Sequence, residues 1–274
     1  MDKENEPFNQ EEHDWESFFE EDHDEEWEKK KLRKKKRKSR WIKVISSILA
    51  FSLLITTLQI WFDLFNLPAV QFIKVSKKLS EDPAVKATKK SVVTIEWDNV
   101  KGTGFNIDPN GLIVTNAHVV EKTDTADITF NNGKAYKGRV IKRNPNLDLA
   151  IIKINGHHLP SLPVTFTQNW EQWIGEKILF IGNPLIFTQI ANEGTVKGEV
   201  QVQGMKIPVI MIEAPVYKGN SGSPVINRKG QVIGIIFATI SSEKFKKTTA
   251  VATPSFYLKE MLQEIIPNNH IIKQ

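Results

Sequence analysis

The sequence predicts an all-β domain built from two small antiparallel barrels, preceded by one apolar helix long enough to cross a bilayer and closed by a short C-terminal helix. Three observations carry this expectation. From about residue 91 onward the chain reads as short runs of β-branched and aromatic residues parted by turn-forming clusters. Residues 44–62, VISSILAFSLLITTLQIWF, are nineteen uncharged positions in succession. One helical apolar stripe stands near the end, in FYLKEMLQEII (256–266).

The strand-length runs are SVVTIEW, GFNI, LIVT, DITF, KGRVI, LAIIKI, KILFI, PVIMIEA, PVIN and QVIGIIFA. Between them lie DPNG (108–111), NNGK (131–134) and NRKG (227–230), clusters whose residues favour tight turns. Roughly a dozen strands in about 165 residues suit a pair of barrels better than one sandwich. The terminal stripe is Tyr257, Leu258, Met261, Leu262, Ile265 and Ile266.

The N-terminal third is organised by charge. Residues 1–28 hold fourteen acidic side chains against Lys3 and show no apolar periodicity, so a disordered acidic tail is expected there. Residues 29–43 are polybasic, beginning KKKLRKKKRKSR. At a helical rise, residues 44–62 span roughly 28 Å, the thickness of a bilayer core. Trp41 and Trp61 sit at its ends, where amphipathic rings suit the interface. A cleaved signal peptide would end in a small-x-small site, which DLFNLPAV after Phe62 does not supply. A retained single-pass anchor is therefore expected, with its N-terminus cytoplasmic and everything after Asp63 outside the cell membrane. Residues 63–90, with Pro68 and Pro83, read as a linker or a partly ordered lead-in, and residues 91–274 as the folded domain.

Composition narrows the function. In 274 residues there is room for one domain with appendages, and 25% charged with 40% hydrophobic residues excludes a wholly disordered or multispanning chain. Without residues 1–43, which hold twelve basic and fourteen acidic groups, 25 basic and 18 acidic groups remain. That basic excess suits anionic polymers or surfaces. Nucleic acid is disfavoured by the placement of the basic run against a membrane. The absence of cysteine leaves neither disulfides nor a thiol nucleophile.

Three segments carry chemistry: TNAHVV with His118, NLDLAIIKI with Asp148 entering an apolar strand, and GNSGSPV with Ser221 in a glycine-rich turn. A serine hydroxyl needs a base near neutral pH, imidazole suits that task, and the base needs a buried acceptor to hold its tautomer. Backbone N–H groups of the turn, at Gly219, Asn220 and Ser221, are the candidate oxyanion donors, with Gly219 and Gly222 allowing the sharp turn. The remaining histidines, His13, His23, His157, His158 and His270, lack the spacing of a metal site, and no cofactor is expected. Gly102, Thr103 and Gly104 lack the strand-to-helix context of a phosphate loop. Phe8, Trp15, Phe18, Phe19 and Trp27 in the acidic tail are either a docking motif or part of a solvated tail.

The order of these segments, with GTGFNIDPNGLIVTNAHVV (102–120), DITFNNGKAYKGRVIKRNPNLDLAIIKI (127–154), GEKILFIGNPL (175–185) and IEAPVYKGNSGSPVINRKGQVIGI (212–235), resembles the trypsin-like proteases of the HtrA/DegP group. The resemblance implies a chymotrypsin-like double six-stranded β-barrel. It makes Ser221 the nucleophile, His118 the base, Asp148 the orienting carboxylate, and the N–H groups of Gly219 and Ser221 the oxyanion hole. It puts Val216 in the primary specificity pocket, opposite Thr239 or Ile240, which implies cleavage after small or medium aliphatic residues. It also implies a serine endopeptidase acting on misfolded or exported proteins, and a homotrimer. Two departures are visible: Ser223 stands where the motif has a second glycine, and the end at Gln274 leaves no room for a PDZ domain. The alternative function is a protease-fold binding or chaperone-like protein with an idle triad.

Overall fold

In a computed structural model of the chain the described residues are 15–64, 67–184, 187–214, 216–242 and 245–266. They fall into two compact units, residues 1–66 and 67–274.

The first unit is a single helix, α1 (Trp15–Leu64). The acidic stretch expected to be disordered is therefore helical from Trp15; residues 1–14 lie outside the described residues. Glu and Lys are good helix formers, and Glu16 in the first turn suits the N-terminal end of the helix dipole. An acidic block ahead of a basic one also allows Glu-to-Lys pairs one turn apart, as between Glu26 and Lys30 at 3.2 Å. Contiguity with the apolar run removes the cost of a separate nucleus. Residues 26–61 contain the candidate membrane span, none of it buried in protein. Ile48, Phe51 and Leu53 are each more than 60% exposed, so this helix has no protein core to cover its apolar face. Two of its hydroxyls bond back into the helix: Thr56 Oγ1 donates to the Ser52 carbonyl at 3.1 Å, and Thr57 Oγ1 to that of Leu53.

The second unit opens with α2 (Leu67–Leu79) and α3 (Pro83–Lys89), where a linker is expected from the sequence. The correction has a local cause. Pro68 and Pro83 both stand in a first helical turn, which lacks N–H partners in any case. Asp82 caps α3 by accepting from the Ala84 N–H at 2.7 Å.

Two six-stranded barrels follow. The first closes β1 (Val92–Trp97), β2 (Val100–Asn106), β3 (Leu112–Thr115), β4 (Thr125–Phe130), β5 (Ala135–Asn144) and β6 (Leu149–Lys153) in the order β1-β2-β3-β6-β5-β4. The second closes β7 (Lys177–Gly182), β8 (Ile190–Gln201), β9 (Pro208–Glu213), β10 (Pro224–Ile226), β11 (Val232–Ser242) and β12 (Phe245–Pro254) in the order β7-β8-β9-β12-β11-β10. All barrel pairings are antiparallel. The sequence pattern announces every strand except β8 and β12. Gly194, Gly198 and charged residues dilute the alternation of β8, and Lys246, Lys247 and small residues that of β12.

Strand alternation explains the core. On β6, Ala150 and Ile152 point into the first barrel with Val93, Ile95, Ile113 and Ile128. Leu149 and Ile151 face the other way, into a layer between the barrels with Val92, Phe105, Ile181 and Ile235. A strand buried on both faces is apolar throughout, as LAII (149–152) is. Phe180, Ile210, Ile212, Val225 and Ile236 fill the second barrel. The helix α4 (Leu258–Ile265) lays Leu258, Met261 and Leu262 on the inter-barrel layer, as its stripe predicts.

Candidate active site

His118 begins a single 3-10 turn directly after β3, and Asp148 immediately precedes β6, the strand paired with β3. Pairing of Thr115 with Ala150 brings the two together. Asp148 Oδ2 lies 2.7 Å from His118 Nδ1, and Oδ1 accepts the backbone N–H of His118 at 2.9 Å. Both carboxylate oxygens are thus engaged by one residue. That fixes the ring and places the proton on Nδ1, leaving Nε2 as the outward-facing acceptor. The Asp148 side chain is 14% exposed and that of His118 46%. Asp148 adopts φ 50°, a left-handed conformation that Asp tolerates better than most residues. Asn116, fully buried two residues before His118, donates from Nδ2 to the Asp148 carbonyl at 2.9 Å and clamps that backbone.

Ser221 rides on the turn between β9 and β10. Gly222 N–H donates to the Ile236 carbonyl at 2.8 Å and Ile236 N–H to that of Ser223 at 2.9 Å, so the turn is stitched to β11. Gly219 and Gly222 hold φ 100° and 87°, where a side chain would be strained. At Gly222 an added Cβ would meet the Thr103 carbonyl oxygen at 1.9 Å.

Thr103 joins the barrels at this point. From β2 its N–H donates to the Ser221 carbonyl at 2.9 Å, and its hydroxyl donates to the Gly219 carbonyl at 2.7 Å. The same hydroxyl oxygen accepts the Asn183 N–H at 2.9 Å. Thr103 and Asn183 are fully buried. Neither is a site residue in the sequence reading. The available signal was a polar residue between two glycines on a strand, dismissed there only as a phosphate loop.

The structure brings His118 and Asp148 into hydrogen-bonding contact but gives Ser221 another partner. Its hydroxyl donates to the Phe237 carbonyl at 3.4 Å, and no hydrogen bond joins it to His118. Among the expected oxyanion donors, Asn220 is corrected: its N–H is spent on the Tyr217 carbonyl at 3.1 Å. That bond closes the turn which leaves the N–H groups of Gly219 and Ser221 without acceptors among the described residues. Behind the turn, the Asn220 carboxamide and the Ser223 hydroxyl are buried without hydrogen-bond partners, close to where a Gly182 side chain would stand.

Beside Ser221 lies a cavity of about 100 Å³ lined by Val216, Tyr217, Lys218, Ile236, Ala238 and Thr239. Val216 and Thr239 are among its lining residues, and Ile240 is not. Phe237 is the extra residue of a bulge, since Ile236 pairs with Ala252 and Ala238 with the adjacent Val251. The bulge bends β11 beside the cavity, whose wall takes Ile236 and Ala238 from this strand. The volume equals about three water molecules, enough for a side chain of three or four heavy atoms.

Residues 102–235 match the family model of the trypsin-like peptidase domain. The chain holds a trypsin-like peptidase domain, HtrA-like in sequence. Residues 197–274 also match a peptidase S46 model. Among curated proteins, a probable periplasmic serine endoprotease DegP-like from Chlamydia trachomatis serovar D is 33% identical over 179 residues, 64% of this chain and 36% of its own length. The corresponding protein of Brucella suis biovar 1 is 31% identical over 173 residues, 62% of this chain and 34% of its own. The chain thus spans about a third of the length of these relatives. Among solved structures, the inactive form of the Rv3671c protease superposes with a TM-score of 0.58 at 27% identity, covering 69% of this chain and 95% of that one.

Proposed function

We propose that this HtrA-like domain is a serine endopeptidase that works through Ser221, His118 and Asp148. The observation that carries the proposal is the bidentate hold of Asp148 on His118, at 2.7 and 2.9 Å, in a barrel hydrogen-bonded to the glycine turn of Ser221. A structural histidine has no need of a fixed tautomer with an outward Nε2. Catalysis requires the Ser221 hydroxyl to leave the Phe237 carbonyl for Nε2, and such bonds commonly tighten only with substrate present.

The Ser221 Oγ then attacks the scissile carbonyl carbon while His118 Nε2 takes the hydroxyl proton. The oxygen of the tetrahedral intermediate takes up negative charge opposite the N–H groups of Gly219 and Ser221. Asp148 stabilises the imidazolium, which passes its proton to the leaving amine as the C–N bond breaks. Water activated by the same imidazole cleaves the acyl ester and restores Ser221. The small apolar cavity at Val216, Ile236 and Ala238 favours small or medium aliphatic side chains before the cleaved bond. The substrates would be misfolded or exported proteins, with the domain held outside the cell membrane by residues 44–62. The uncovered apolar face of α1 and the basic block before it support this orientation.

The test is fluorophosphonate labelling and casein hydrolysis by the full chain in detergent, with Ser221→Ala beside it. Labelling mapped to Ser221 and hydrolysis lost in the variant are expected. Equal hydrolysis by both would overturn the proposal. A protease-fold binding protein with an idle triad is the second reading, favoured by the Ser221 bond to Phe237. It predicts casein binding without labelling.

A further inference from the structure

The helix α2 buries two side chains one turn apart, Phe72 at 5% and Ser76 at 4% exposure. Each meets a different loop of the candidate site. Phe72 packs its ring edge-on against Tyr217, with centroids 4.9 Å apart and planes at 72°. Tyr217 lines the cavity beside Ser221, and its carbonyl accepts the Asn220 N–H that closes the nucleophile turn. Ser76 Oγ accepts the Ala191 N–H at 3.0 Å. Ala191 stands at the end of the loop that leaves β7 at Asn183. That loop is tied to itself by the Gln189 N–H, which donates to Asn183 Oδ1 at 2.9 Å. Asn183 in turn forms the ground under Gly219, where an added Cβ would meet its carbonyl oxygen at 2.5 Å.

We infer that α2 is a positioning strut for the nucleophile turn, and that Phe72 and Ser76 set the geometry of the oxyanion donors and the cavity wall without touching substrate. This rests on the protease reading for its catalytic consequence, not for its structural one. The two contacts converge on Gly219 from opposite sides: Phe72 through Tyr217 and Asn220, Ser76 through Ala191, Gln189 and Asn183. An amphipathic helix that served only to cover the core would bury an apolar stripe. Among the described side chains of α2, residues 72–79, Leu79 does pack on the inter-barrel layer, but of the buried positions Phe72 and Ser76 the second is a serine whose hydroxyl satisfies the Ala191 N–H.

The experiment uses the full chain in detergent and the variants Phe72→Ala, Phe72→Leu and Ser76→Ala. Val85→Ala on α3 is the control, since Val85 is also buried but packs on the inter-barrel layer. Amide exchange by mass spectrometry is expected to rise in residues 187–191 and 216–221 for Phe72→Ala and Ser76→Ala, with β6 unchanged. Val85→Ala should leave both loops as in the parent. Fluorophosphonate labelling of Ser221 should slow about tenfold in Phe72→Ala, the rate equivalent of one aromatic contact. Phe72→Leu, which keeps apolar bulk, should recover part of it. Unchanged loop exchange in folded Phe72→Ala and Ser76→Ala, or an equal effect of Val85→Ala, would overturn the strut. If the parent chain does not label at all, the protease reading fails while the exchange result still decides the role of α2.

Discussion

Replacing Gly222 by alanine tests the claim that the nucleophile turn is pressed against the first barrel. Gly222 holds φ 87°, and an alanine Cβ there would lie 1.9 Å from the Thr103 carbonyl oxygen and 2.5 Å from Thr115 Oγ1. The carbonyl is backbone and already accepts from Thr115 Oγ1 at 2.7 Å, so relief requires the turn to move off β2. Left-handed strain costs about 1–2 kcal/mol. Overpacking adds about 1–3 kcal/mol. Loss of the Thr103 N–H bond to the Ser221 carbonyl adds about 1–3 kcal/mol. The sum is on the order of 5 kcal/mol, a fall in Tm of roughly 10–20 °C for a domain of this size. Gly230 supplies the control, with φ 75° and no atom within 4 Å of an added Cβ. Gly230→Ala therefore bears only the conformational cost, about 1–2 kcal/mol. Tryptophan-fluorescence melts of both variants in detergent measure the difference. Melting within about 2 °C of each other would refute the steric argument.

Thr103→Val keeps the shape but strips the hydroxyl from the Gly219 carbonyl and the Asn183 N–H, both buried; a loss of about 2–4 kcal/mol is expected in urea unfolding, with Thr103→Ser close to the parent. Ser223→Ala removes a buried hydroxyl that has no partner, so stability should rise by about 1 kcal/mol, and a lower Tm would mean that the hydroxyl is satisfied. Asp148→Asn preserves volume but loses the charge that orients His118; kcat should fall about 10⁴-fold with little change in Tm, read from peptide turnover beside a melt. Val216→Phe fills a cavity of about 100 Å³ and should confine cleavage to sites after Gly or Ala, which profiling of peptide libraries would show.

The strands most legible in sequence are those that read as near-continuous apolar runs because both faces are buried, such as LAII of β6 and ILFI of β7. β8 and β12 escape because their outward faces are charged or glycine-containing, so no window of either stands out. The acidic half of α1 escapes for another reason: composition describes an isolated segment, whereas its helix is seeded by the apolar run that follows. Pro68 and Pro83 look like breakers until their place in a first turn is known.

At the site, sequence alone determined the residue types the chemistry needs and their order along the chain: His118, Asp148 and Ser221 in three recognisable segments, with Val216 five positions before the serine. Those are properties of short stretches, fixed by what each must do locally. Only the tertiary structure decided that the Asn220 N–H is spent and those of Gly219 and Ser221 are not, and that Ile236 and Ala238 line the cavity while Ile240 does not. It alone placed Thr103 on Gly219 and Ser76 on Ala191, across 116 and 115 positions of chain. A hydroxyl that bonds so far from its own segment leaves no periodicity to read, because closure of the barrels, not local spacing, brings its partner within 3 Å.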